Sequence, residues 1–326
     1  MATYLGTHGG RIQNYTTDPD NPNTGEVWYN ATANTLKFQF TSTAGVWSSV
    51  NSLNTARYAL SAGGTQTSAI GFGGTLDPPI SALVESYNGT NWTEVNDLNQ
   101  ARYGLAGAGA DNTSALAFGG YTGTARSADT ELWNGTNWTE VNNLNTGKNN
   151  LAGDGIATAA LAFGGTTPPF TAQTEKWNGT NWTEVGDLNT ARYSLAGSGT
   201  YTSALAYGGF TPPRTAATES WNDTSWTEVN DLNVAKDNHM GAGSDNDNAL
   251  CIGGYNGTVN FATTELWNGT NWAEQNDLSI GVRTSGATGT TTAAISFAGV
   301  NPSAGRVAVA EVWNSPSTTV KTISTD

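Results

Sequence analysis

The chain has 326 residues, of which 40 are Gly, 2 are Met and only 12% are charged, about half the usual share of ~25%. Such a composition makes poor long helices and good short strands joined by tight turns, which excludes coiled coils and doubly wound α/β folds. A formal charge of −14 repels phosphate backbones and so argues against sequence-independent nucleic-acid binding.

Residues Met1–Gly10 (MATYLGTHGG) lack the basic start and apolar centre of a signal peptide. No apolar run approaches the ~20 residues of a membrane span. The single Cys251 has no internal disulfide partner, and no CxxC pair is present for zinc. The expectation is a soluble product of a reducing cytoplasm, with no membrane insertion and no cofactor or metal. The stretch Thr17–Pro22 (TDPDNP) reads as a turn-rich linker. It leads into two alternating runs, Gly25–Asn30 and Thr35–Phe38, which predict a hairpin around Asn30–Asn34.

From Val46 onward the chain repeats. An apolar run closes on a glycine pair at Gly73-Gly74, Gly119-Gly120, Gly164-Gly165, Gly208-Gly209 and Gly253-Gly254, with Ala298-Gly299 as a degraded sixth copy; the steps are 46, 45, 44, 45 and 45 residues. About ten residues later comes Glu-x-aromatic, from Glu85/Tyr87 to Glu311/Trp313. A second tryptophan follows in five copies (Trp92, Trp138, Trp182, Trp226, Trp272), and Asn-Gly, a strong hairpin signal, separates most of these aromatic pairs. In the third copy the strands are predicted over Asn150–Gly155, Ala159–Gly165, Thr174–Asn178 and Trp182–Leu188. Four short strands in about 45 residues is the period of one propeller blade.

Independent units of this size, with neither disulfide nor metal, would be too small to be stable, and a linear solenoid would have a shorter period. The sixth copy lacks the second tryptophan, and Trp47 lies 45 residues before Trp92. We therefore expect Val46–Leu53 to complete the last blade and close the ring, removing both exposed edges. Pro316–Ser324 competes for the same edge. The predicted fold is all-β: a short N-terminal extension with a hairpin over residues 1–45, and a six-bladed β-propeller over residues 46–326.

The glycine pair, the aromatic of the third strand, the tryptophan of the fourth and the basic residue that opens the next unit together resemble the kelch-repeat family. This resemblance covers about residues 46–314 and implies a propeller; it is weak for function, because such propellers serve as adhesins, scaffolds, receptors and occasional enzymes. The pattern GE-x-WYN…TLKF…W over residues 25–47 resembles segments near the amino ends of bacteriophage tail-fibre and other virion proteins, and the NGTNWTEVNDLN units resemble kelch-like phage proteins. What the resemblance implies is a virion component, made in the host cytoplasm, oligomeric as tail appendages usually are. Residues 1–45 would dock to other virion proteins and the propeller would meet a host-surface glycan or protein. A capsid or tail assembly protein is the alternative; a polysaccharide-active enzyme is a distant third.

Catalysis finds little material. The only histidines are His8 and His239, too few for a nucleophile–base set or a copper site. Arg57, Arg102, Lys148, Arg192, Lys236 and Arg283 are read as occupying one recurring place after the fourth strand. Two readings stand: an anion-collecting rim, or ion pairs with the recurring glutamates. The loops between second and third strands vary most and carry Tyr121, Phe170, Phe210, Arg214, Tyr255 and Phe261. They are read either as recognition tips or as local packing.

Overall fold

A computed structural model describes residues 12–20, 22, 25–41, 45–315 and 318–323. The chain divides into two compact units, one ending at Gly45 and resuming at Ser315, the other spanning Val46–Asn314. The described residues contain no helix. They form repeated four-stranded antiparallel sheets, an arrangement compatible with a propeller.

In the first unit Val27–Asn30 pairs antiparallel with Thr35–Thr41, as the predicted hairpin requires. Gln13–Tyr15 adds to one side in parallel, and Thr318–Ile323 adds to the other. The expected linker around Asp18 is in fact its hub. Asp18 Oδ1 accepts hydrogen bonds from Trp28 Nε1 (3.1 Å) and Asn30 Nδ2 (2.7 Å), and Oδ2 lies 2.7 Å from Lys37 Nζ. These donors, Lys37 foremost, hold the carboxyl at about 2, below its usual range. The second unit therefore ends at Asn314 rather than at residue 326, and the strand that competed for the last edge pairs elsewhere.

The second unit holds six four-stranded sheets among the described residues. The third shows the pattern: Ala152–Ile156, Ala159–Phe163, Thr174–Trp177 and Trp182–Glu184, each antiparallel to the next. Apolar burial is densest on the second strand, where Ala160, Leu161, Ala162 and Phe163 are all inaccessible to solvent. The sixth sheet combines Gly286–Gly289, Ala293–Phe297 and Ala310–Asn314 with Val46–Val50, in the register Trp313↔Trp47. Trp47 takes the place of the absent tryptophan, its ring centroid 5.5 Å from that of Trp313.

Adjacent sheets are joined by three recurring devices. The first explains the glycine pair. The second glycine donates its N–H across the boundary, Gly120 to the Lys148 carbonyl and Gly165 to that of Arg192, each at 2.9 Å; Gly299 does the same to Arg57. At Gly119 φ is +68°, and a Cβ would stand 2.8 Å from the Lys148 oxygen, so both the conformation and the space demand glycine.

The second device is a closed circuit of six peptide groups. Gly104 N–H bonds to Ala59 O, Asn150 to Gly104, Ser194 to Asn150, Asn238 to Ser194, Thr284 to Asn238 and Ala59 to Thr284, all at 2.7–2.9 Å. All six residues have φ between 52° and 59°. A circuit of donors and acceptors that returns to its start leaves none of the amides of these half-buried residues orphaned.

The third device is a tryptophan bond between sheets. Trp182 Nε1 donates to Thr130 Oγ1, Trp226 to Thr174, Trp272 to Thr218 and Trp47 to Thr264, at 2.8–3.2 Å. Among the described residues Trp138 and Trp92 have no partner for Nε1. The corresponding residues in the preceding sheets are Val84 and Ala310, which pack with them but offer no acceptor. Val84→Thr should supply that acceptor to Trp138 and raise the unfolding free energy by about 1 kcal/mol, read as a higher denaturant midpoint at unchanged m-value.

Candidate functional site

Five of the six cations singled out by sequence are not on a surface. Arg57, Arg102, Lys148, Arg192 and Lys236 are fully buried. They pair with Glu85 (2.5 Å), Glu131 (2.9 Å), Glu175 (3.1 Å), Glu219 (3.1 Å) and Glu265 (2.7 Å) of their own sheets. Burial draws the Arg102 and Lys148 cations below their ordinary range, with the partner carboxylates opposing it. Each carboxylate also accepts a backbone N–H from the turn ahead of the cation, as Glu219 does from Asn189 at 2.6 Å. The rim reading is thus corrected for these five: a side chain without access to water has no access to a ligand.

The sixth, Arg283, stands one residue past the repeat position. Val282, not Arg283, lies at the buried place, 3% exposed, and Glu311 there accepts from Ser279 N and Oγ, with no cation paired to it among the described residues. Arg283 is half-buried at the next position. That position is held in the other sheets by Tyr58, Tyr103, Asn149, Tyr193 and Asp237, each directly before the peptide circuit.

These six residues make the inner row of a layered rim. Each bridges to the first residue of the variable loop: Tyr58 to Thr75, Tyr103 to Tyr121, Asn149 to Thr166, Tyr193 to Phe210, Asp237 to Tyr255 and Arg283 to Val300. Several of those bridge onward to the loop's far side, Tyr121 to Arg126, Phe210 to Arg214 and Val300 to Arg306. Backbone pairing thus collects the variable loops beside the circuit and presents their side chains together.

The loop aromatics are half-buried against one another. Tyr103 and Tyr121 meet edge-on at 5.6 Å, and Tyr193 lies between Phe170 (6.1 Å) and Phe210 (5.4 Å). The Arg214 guanidinium sits 5.2 Å from the Phe210 ring and 4.8 Å from that of Tyr255, with Nε 3.1 Å from Asp237 Oδ1. Arg283 lies 4.3 Å from the Tyr255 ring. Packing and exposure coexist here, since each ring keeps part of its surface open. Phe261 is half-buried against Lys236, whose Nζ stands 5.6 Å from its ring.

A cavity of about 240 Å³ is lined by the first strands of all six sheets, from Leu60–Gly64 to Ser285–Gly289. Its only titratable lining residues are Asp154 and His239. Asp154 Oδ2 is buried without a hydrogen bond, and burial pushes this carboxyl well above its usual range. His239 Nε2 lies 3.0 Å from the Tyr207 carbonyl oxygen, so the neutral ring donates there. Burial, aided by Lys236, holds its pKa at about 3. Burial likewise pushes the Cys251 thiol to about 12, leaving it protonated and inert. His8 lies outside the described residues.

The His239 shift has a stability consequence. Between about 6.5 and about 3 the unfolded chain takes a proton that the folded chain refuses, so stability falls as pH drops through that window. Leu60, Leu105, Leu151 and Leu195 fill the same place in four other sheets, all buried. His239→Leu should flatten this part of the stability–pH curve, measured by urea midpoints from pH 7 to pH 4.

A scan against protein-family models and a search of curated proteins both return no match.

Proposed function

We propose that residues 46–314 form a six-bladed, kelch-like β-propeller closed by Val46–Val50, and that the protein is a non-enzymatic component of a bacteriophage virion. Its role in this reading is that of a tail-fibre or receptor-binding protein. The closed peptide circuit, the Gly299–Arg57 bond and the Trp47–Thr264 bond support the ring, since each links the start of the second unit to its end.

One observation carries the recognition role. Of the ten cations in residues 46–314, five are sequestered in pairs, and Lys176 is bound to Asp223. The remaining four, Arg126, Arg214, Arg283 and Arg306, all fall on the aromatic rim, Arg214 there being paired with Asp237. A chain of net charge −14 that gathers its remaining positive charge on one ring-lined face has the makings of a contact surface. The first unit, with exposed Ile12, Val320 and Ile323 on its outer strands and chain, suits docking to other virion proteins and self-association.

The test uses the intact chain on host cells and on a glycan array. Phe210→Ala together with Tyr121→Ala should abolish binding while leaving the thermal midpoint within a few degrees. Unchanged binding removes the rim from the account, and release of reducing sugar from a bound polysaccharide replaces the reading with an enzyme.

A further inference from the structure

The free positive charge is not spread evenly round the rim. Arg283 and Arg306 flank a single residue, Val300, which pairs with both backbones. The Tyr58 phenol of the neighbouring sheet feels the Asp77 carboxylate first and then the charges of both arginines. Tyr255 closes the other side, 4.3 Å from Arg283. Arg214 also reaches the Tyr255 ring, but its charge is matched by Asp237. Arg283 and Arg306 have no such match: among the described residues neither guanidinium enters an ion pair or donates a hydrogen bond. Each planar fork carries five N–H donors.

We propose that this sector, Tyr58–Arg283–Arg306–Tyr255, is the subsite for an acidic group on a sugar ring, a carboxylate or a sulfate. The inference rests on the rim being the binding face, and it names the ligand class that this face takes. An oxyanion meets two unspent guanidinium forks, which bind such groups through paired charge-assisted hydrogen bonds. The flanking phenol rings offer apolar faces for the C–H side of the sugar and hydroxyls for its polar edge. The local backbone is unsuited to an extended peptide. Arg283 N–H is bonded to Val300 O and Val300 N–H to Arg283 O, so these two residues offer no free backbone groups to an added strand. Side chains alone are left to recognise the ligand, which favours a compact charged ring.

The experiment is calorimetric titration of the full chain with oligogalacturonate and sialyllactose as carboxylate probes, a heparin-derived oligosaccharide as sulfate probe, maltohexaose as neutral probe and a polyglutamate peptide. The expected result is binding of one or both acidic sugar classes, weakened by added salt. Arg283→Gln and Arg306→Gln should each weaken that binding by about tenfold or more, with unchanged thermal midpoints. Arg283→Lys should restore only part of it, because the fork is lost. If the acidic sugars bind equally well to both Gln variants, and Tyr121→Ala or Phe170→Ala is what weakens them, the subsite is overturned while the rim reading survives. Equal binding of maltohexaose, or binding of polyglutamate alone, also overturns it. If no probe binds and no rim variant alters attachment to host cells, both readings fall together.

Discussion

Glu219→Ala should lower the unfolding free energy by about 3–5 kcal/mol, because it strands the Arg192 guanidinium in a site closed to solvent. The partners that remain to Arg192 are weak compensation: NH2 donates to the Ala206 carbonyl at 3.1 Å, while Nε and NH1 have no acceptor. Asn189 would also lose the acceptor for its backbone N–H and one of the two for its Nδ2, which keeps the Trp226 carbonyl. The sixth sheet supplies the internal control. Glu311 sits in the same place but faces Val282, so Glu311→Ala orphans only the Ser279 donors, at a cost of about 1–3 kcal/mol. Urea denaturation of the two variants side by side measures the difference. Equal losses would mean that the ion pairs contribute nothing beyond the hydrogen bonds of the turn.

Trp47→Ala should cost about 3 kcal/mol, toward the lower end for truncating a large aromatic, since Trp47 is half-buried. Three losses coincide. The ring contact with Trp313 disappears, the fully buried Thr264 hydroxyl loses its donor, and the outer strand of the sixth sheet loses its largest anchor. A loosened outer strand exposes the edge of Ala310–Asn314, a template for pairing with other chains. The variant should therefore form concentration-dependent oligomers during thermal unfolding where the parent protein does not, seen by light scattering. Trp92→Ala, which breaks no Nε1 bond, makes the useful comparison.

Much of the second unit was legible in the chain because its repeat is physical. Each glycine pair is needed at the same joint, each Glu accepts from the same turn, and the displaced Trp47 fits only if the ends meet. Periodicity does not report burial, however. Five cations that recur at one position look the same whether they line a mouth or sit inside a sheet, and the structure puts them inside. The slip at Arg283 has a similar origin. Val282 is apolar and unremarkable in a strand-rich chain, so the nearest cation reads as the repeat position. The inner rim row carried a usable signal in its composition: Tyr58, Tyr103 and Tyr193 recur there, directly after the buried cation.

The peptide circuit left no trace in side-chain pattern, since Ala59, Gly104, Asn150, Ser194, Asn238 and Thr284 share only a positive φ. That conformation favours glycine, and five of the six residues adopt it without being glycine, held by bonds to their neighbours. Asp18 was hidden for the opposite reason. A polar, proline-rich stretch reads as linker until its carboxylate is seen to collect Trp28, Asn30 and Lys37.

The rim exists as one surface only if the chain's early strand completes its last sheet, and that pairing can be fixed covalently. Ser48 and Val312 are direct partners across the closing pair, and opposed residues in antiparallel strands stand about 4.5–5.5 Å apart at Cα, within reach of a disulfide. Cys251 is buried and does not compete. Mild oxidation of the Ser48→Cys/Val312→Cys protein should yield an intramolecular bond in the monomer and a higher thermal midpoint. Absence of the bond, or disulfides only between separate chains, would contradict closure and dissolve the shared rim.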